Sequence, residues 1–227
     1  MTRTSFVLLL FSLLPACSDA PPPPPPAPEP AATAPAPPPA DDLPLVVFLG
    51  DSLTAGLGLD EERAFPAVIG RRLAAEGTPI RVVNAGVSGD TTAGGLRRLR
   101  WLLRQQPDVV VVSLGGNDGL RAFDAEMSEE NLRRIVVETR AAGARVLLTG
   151  MLVPPNYGPD YAESFRAIYP RLAAELDVPL VPFLLDGVGG NPELNQGDGI
   201  HPNAEGQERV AEIVLPYLKD VLAELTS

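Results

Sequence analysis

Short runs of unbroken apolar residues recur along the chain from residue 45 onward: Leu45 to Leu49, Ile80 to Asn84, Val109 to Leu114, Val146 to Met151 and Pro179 to Phe183. They are rich in valine and leucine and lack polar alternation, which predicts strands buried on both faces. Between them, apolar positions recur every three or four residues over 64–76, 92–105, 128–142, 160–176 and 203–225, which predicts helices. Ser128, at the head of "SEENLRR", is expected to cap the third of these, with acidic residues in its first turn.

Strands that alternate with helices in this way require crossover connections, and those are right-handed. The pattern therefore predicts an α/β domain over 45–227: a five-stranded parallel sheet between two helical layers, a three-layer α/β/α sandwich of the flavodoxin-like kind. Sites in such sheets form beyond the carboxyl ends of the strands. That is where the residues unexplained by packing are found.

The first 44 residues do not belong to this pattern. "FVLLLFSLL", 6–14, follows Arg3 and is too short an apolar run to span a bilayer as a helix. With "PAC" after it, it reads as a bacterial secretory signal, 1–16. Cys17, the only cysteine, ends "LLPAC", which resembles a lipoprotein lipobox; the cysteine would become the lipidated first residue after cleavage. Pro15 departs from the small or aliphatic residue usual there, and an ordinary signal peptide with a stray cysteine is the alternative. No disulfide can form within the chain either way. Residues 17–44 hold half of the 26 prolines and favour extended polyproline II, so they read as a tether between a lipid anchor and the domain. These features predict a membrane lipoprotein of the bacterial envelope, facing the periplasm or exterior.

Charge narrows the partners. Setting aside Arg3 and the acids Asp19, Glu29, Asp41 and Asp42 leaves the chain from Leu43 onward near −8, against −11 for the whole. Such a balance disfavours nucleic acid as a partner. The basic cluster "RRLRWLLR", 97–104, alternates with apolar residues and reads as the solvated face of one helix.

Four pieces follow the predicted strands or precede the last helix. "GDSL", 50–53, puts Ser52 where the chain leaves the sheet; alone it could be a helix cap. "SGD", 88–90, offers Gly89, whose backbone N–H can approach a ligand closely, or which only turns the chain. "GGND", 115–118, offers the Asn117 side-chain amide as a donor, although asparagine is also a common turn residue. "DGIHP", 198–202, holds the only histidine, His201, three residues after Asp198. A carboxylate so spaced on a turn can accept the Nδ1 hydrogen and leave Nε2 free as a base, which is what a serine hydroxyl needs to become a nucleophile. The competing reading of that piece is a solvated turn, with Pro202 starting the last helix. Co-occurrence of all four at one sheet edge favours chemistry.

These four blocks, in this order, resemble those of the SGNH, or GDSL, hydrolase family, and the likeness covers 45–225. "GGNDGLR", "NYG" and "VPLVPF" are similar to its bacterial branch of multifunctional arylesterases, thioesterases and lysophospholipases. The resemblance implies Ser52 as nucleophile, His201 as general base and then acid, and Asp198 as its orienting partner. It implies an oxyanion hole from the N–H groups of Ser52 and Gly89 and the Asn117 amide, with a structural part for Asp51. The family implies hydrolysis of small-molecule or lipid esters through an acyl-enzyme.

The G-x-S-x-G elbow of α/β-hydrolases is absent, since Thr54 stands where its second glycine would be. One histidine and no cysteine in the domain leave only carboxylates as metal ligands, so no metal or cofactor is expected. Polysaccharide deacetylation and a non-enzymatic envelope-binding role are the competing functions, and a monomer is the default assembly. The stretch 151–165, "MLVPPNYGPDYAESF", is expected to wall the acyl side of the pocket.

Overall fold

The computed structural model describes residues 42–225; the expected signal segment, Cys17 and the tether up to Asp41 lie outside the described residues. Five strands form one parallel sheet: β1 (Leu45–Gly50), β2 (Arg81–Gly86), β3 (Val109–Ser113), β4 (Arg145–Thr149) and β5 (Leu180–Val181), in the order β2-β1-β3-β4-β5. The helices are α1 (Ser52–Ala55), α2 (Phe65–Ala75), α3 (Thr92–Leu103), α4 (Gly116–Leu120), α5 (Ala125–Ala141), α6 (Pro159–Leu176) and α7 (Ala204–Ala223). The chain moves outward from β1 to β2, then reverses and passes β1 to reach β3. Right-handed crossovers in opposite directions put helices on opposite faces. Accordingly α2 packs with α7, while α3, α5 and α6 pack in sequence with one another. The expected three-layer sandwich is what forms.

The apolar runs become strands for the reason their composition suggests. Every residue of β1 and β3 is buried, and Val46, Val47, Phe48 and Val109 to Val112 have no exposed surface. The reversal of direction leaves a crevice between the carboxyl ends of β1 and β3. Ser52 and Asn117 follow those two strands.

All five strands begin or end one or two residues from the predicted bounds, and two of these shifts have a plain physical cause. The second strand runs on through Ala85 and Gly86, because Gly86 pairs in register with Gly50 and a side chain there would meet the α1 backbone, 2.3 Å from the Ala55 nitrogen. The fifth shrinks to Leu180 and Val181, since Pro179 and Pro182 on either side lack the N–H that a ladder requires.

One cap is corrected. The helix expected from Ser128 begins at Ala125, and Asp124 is its N-cap, accepting from the Met127 N–H at 3.0 Å. Ser128 is buried inside the first turn, with its hydroxyl directed to the Asp124 carbonyl and to Asp118. Likewise Pro202 precedes the last helix without starting it: Asn203 is the N-cap, accepting from the Gly206 N–H at 2.9 Å.

Candidate active site

The site is built from the ends of β1 and β3 and from the loop before α7. Asp51 caps α1 by accepting from the Leu53 N–H at 3.0 Å, so Ser52 becomes the first residue of that short helix. Ser52 is largely buried, and its Oγ lies 2.9 Å from His201 Nε2. On the other side of the ring, His201 Nδ1 lies 2.7 Å from Asp198 Oδ2.

The loop that carries these last two residues is pinned at its base. Asn195 and Pro202 form an isolated antiparallel bridge, the Gln196 N–H donates to the His201 carbonyl at 2.8 Å, and the Gln196 amide reaches across to the Leu57 carbonyl at 2.6 Å. Gly199, with φ +71, lets the chain turn between Asp198 and His201. Asp198 Oδ1 then accepts the N–H groups of Ile200 at 2.9 Å and His201 at 3.0 Å. These bonds, first the His201 N–H and then its ring and the Ile200 N–H, hold the Asp198 carboxyl well below the usual carboxylate range. An ionised carboxylate has no proton to give. Nδ1 therefore carries the ring hydrogen and Nε2 is left to accept from the serine hydroxyl.

Asn117 sits in the short helix α4, which the apolar pattern did not reveal. Its amide donates to Asp51 Oδ2 at 3.3 Å. Burial pushes the Asp51 carboxyl up from its ordinary 3.8 to about 6, against the lowering effect of the Leu53 N–H, of His201 when protonated and of the Asn117 amide. The neighbouring Asp118 is also buried and ties α4 to the start of α3, accepting the Thr92 N–H at 2.9 Å and the Thr92 hydroxyl at 2.6 Å. Gly89 lies just past β2, with φ +80. Among the described residues neither its N–H nor that of Ser52 is used in a hydrogen bond within the chain.

Ser52, Asn117 and His201 open on a cleft of about 430 Å³ whose other walls are apolar, with Leu120, Leu152, Val153, Phe183, Leu185 and Ile200 prominent. The stretch 151–165 contributes only its first residues, Met151 to Pro154. Tyr157 and Tyr161 instead donate their hydroxyls to the carbonyls of Leu120 and Phe123, at 2.7 and 2.8 Å, and so anchor the segment after Asn117. Phe183 and Leu185 were not anticipated as lining. The rule that sites lie past strand ends would have found them, had β5 been ended two residues earlier, at Val181.

Sequence reasoning also missed Asp51 as a partner of Asn117, and it read Arg98 wrongly. That arginine is not on a solvated face: its side chain is 22% exposed and is engaged by Asp90 at 2.7 Å. A charged residue at a helical position facing the sheet is indistinguishable, in sequence, from one facing water.

A serine, an imidazole and a carboxylate in hydrogen-bonded series, beside an apolar cleft at the switch point of a parallel sheet, define a serine hydrolase. Residues 48–209 match the model of the GDSL-like lipase/acylhydrolase family. The chain is 49% identical over 178 residues to esterase TesA of Pseudomonas aeruginosa, covering 78% of this chain and 89% of that protein. It is 44% identical over 178 residues to thioesterase 1/protease 1/lysophospholipase L1 of Escherichia coli, covering 78% and 84%. The crystal structure of the psychrotrophic esterase EstA from Pseudoalteromonas sp., inhibited by monoethylphosphonate, superposes with a TM-score of 0.75 at 34% identity, covering 79% of this chain and 98% of that one. The chain belongs to the GDSL-like, or SGNH, hydrolase family and is a serine ester hydrolase.

Proposed function

We propose that the protein hydrolyses acyl esters and thioesters, lysophospholipids among them, through an acyl-enzyme on Ser52. The observation that carries this reading is the series Asp198–His201–Ser52, with contacts of 2.7 and 2.9 Å. Ser52 Oγ attacks the carbonyl carbon as His201 Nε2 takes its proton, and Asp198 stabilises the imidazolium. The oxyanion is received by the N–H groups of Ser52 and Gly89 and by the Asn117 amide. His201 then returns the proton to the departing alcohol or thiol, and water activated by the same nitrogen releases the acid.

The apolar walls of the cleft favour an acyl chain over a sugar ring, which sets the deacetylase reading second. The experiment is hydrolysis of p-nitrophenyl esters from acetate to laurate, with Ser52→Ala alongside. We expect the rate to fall by about 10⁴-fold or more in the variant, and the optimum to lie beyond acetate. Undiminished activity in Ser52→Ala would overturn the assignment, and a sharp preference for acetate would return weight to deacetylation.

The segment before the family match supports a place in the envelope: an apolar run, then Cys17, then proline-rich sequence. On this reading Cys17 carries lipid and the substrates are envelope lipids. Mass spectrometry of the membrane fraction tests it, and a chain cleaved elsewhere or carrying no lipid would remove the anchor.

A further inference from the structure

Arg98 reaches from α3 to three acceptors that belong to different parts of the site. Its Nε donates to Asp90 Oδ2 at 2.7 Å, Nη1 to the Ala85 carbonyl at 2.6 Å and Nη2 to the Gly50 carbonyl at 2.8 Å. Gly50 ends β1, two residues before Ser52, while Asp90 directly follows Gly89. Asp90 is itself only 11% exposed, and its other oxygen accepts the Thr91 N–H at 3.1 Å. The Gly50 carbonyl also takes the Val87 N–H at 3.0 Å, so the two turns share an acceptor at their base.

The surroundings fit this side chain. Gly94 has no side chain where a Cβ would fall 1.6 Å from Asp90 Oδ1, so the carboxylate occupies that space on the helix. The planar guanidinium offers donors in fixed directions, which is what three divergent acceptors require. A lysine could keep the charge but would reach one or two of them.

We infer that Arg98 is a positioning residue for the oxyanion hole: it fixes the Ser52 turn relative to the Gly89 turn, and so sets the spacing of two N–H donors. This rests on the reading that those donors receive the oxyanion. Such donors act only when they meet the tetrahedral oxygen, so misplacing one slows the chemical step and leaves substrate binding nearly intact. No part of Arg98 need touch the substrate.

The test uses Arg98→Lys and Arg98→Met in the full-length protein, with Gly94→Ala as a route to the same fault from the opposite side. The readouts are kcat, KM and the inhibition constant of phenylboronic acid, whose tetrahedral adduct with Ser52 puts an oxygen in the hole. For a displacement of about 1 Å we expect kcat to fall by about 10- to 100-fold, KM to stay within about twofold, and boronate affinity to fall with kcat. Tens of millimolar guanidinium ion should recover part of kcat in Arg98→Met and none in Gly94→Ala. If Arg98→Met does not fold, Arg98→Lys and Gly94→Ala decide. A folded variant with kcat within twofold of the parent overturns the inference, as does a lower kcat with unchanged boronate affinity. Asn117→Ala, run in parallel, separates the two layers: if it too leaves kcat and boronate affinity unchanged, the oxyanion reading itself has failed, whereas loss there with none at Arg98 removes only the clamp.

Discussion

The two halves of the site are built on opposite plans. The acid–base half, Asp198 and His201, lies within four residues on one exposed turn, and its internal bonds, two from backbone N–H groups and one from the ring, stay within that turn. The half around the nucleophile gathers Ser52, Gly89 and Asn117 from the ends of three strands, and its ties run through side chains that are mostly buried: Asp51, Asp118 and Arg98. A local half makes most of its bonds within its own turn, although its base is tied to distant Leu57 through Gln196. A distributed one exists only after the sheet has set β1, β2 and β3 in register. The chemistry divides along the same line, since a base must reach one proton, whereas a hole must hold several donors at fixed spacing around a single oxygen.

Removing the local half gives the largest expected effect. His201→Ala takes away the only imidazole, and we expect kcat to fall by about 10⁴-fold or more while a residual rate above that of water survives from the hole. Adding Asn117→Ala to that variant should then erase most of what remains. A double variant no slower than His201→Ala, measured on a p-nitrophenyl ester, would mean that the two halves do not act separately.

The next effect is Asn117→Ala alone. Loss of one hole donor is expected to lower kcat by about 10²- to 10³-fold, some 2.7 to 4 kcal/mol in the barrier, with KM little changed. A rise in KM at constant kcat would instead make Asn117 a substrate-binding residue.

The same division explains what the sequence disclosed. The three-residue spacing of Asp198 and His201 and the strand positions of Ser52, Gly89 and Asn117 could be read directly, as could the order of sheet and helix. Capping was read less well: Asp124 lies just before a periodic stretch, and its neighbour Ser128, equally suited to a cap, is instead buried against Asp118. Arg98 and Asp51 were opaque for a deeper reason. Arg98 reaches as far as Gly50, 48 residues away, and Asp51 as far as Asn117, 66 away, and nothing in a linear pattern tells a charge aimed at a carbonyl or an amide from one aimed at water. The length of β5 was legible in principle, because two prolines bracket it.

Asp51 gives the smallest of these effects and the sharpest contrast with Asp198, since the two carboxylates are shifted in opposite directions by opposite surroundings. Asp198, exposed and holding N–H groups, is favoured as an anion; Asp51, 1% exposed, is disfavoured. Unfolded, Asp51 loses its proton near 3.8, and folded near 6. Between those values the folded state keeps a proton that the unfolded state has released, so this group's contribution to stability declines as pH rises from about 4 to about 6 and stays lower above that range. At about 1.4 kcal/mol for each tenfold change in proton affinity, the decline is up to about 3 kcal/mol. Asp51→Asn removes it. Whatever constant offset the lost hydrogen bonds impose, the stability difference between variant and parent should move in the variant's favour by up to that amount between pH 4 and pH 8, as read by urea denaturation. Activity should move the other way, falling roughly tenfold at pH 8, because an amide opposite Asn117 no longer dictates which way that side chain presents its N–H groups. A difference that is flat with pH would show that the Asp51 carboxyl is not raised by burial. A gain in stability with no loss in rate would leave its burial without a part in catalysis.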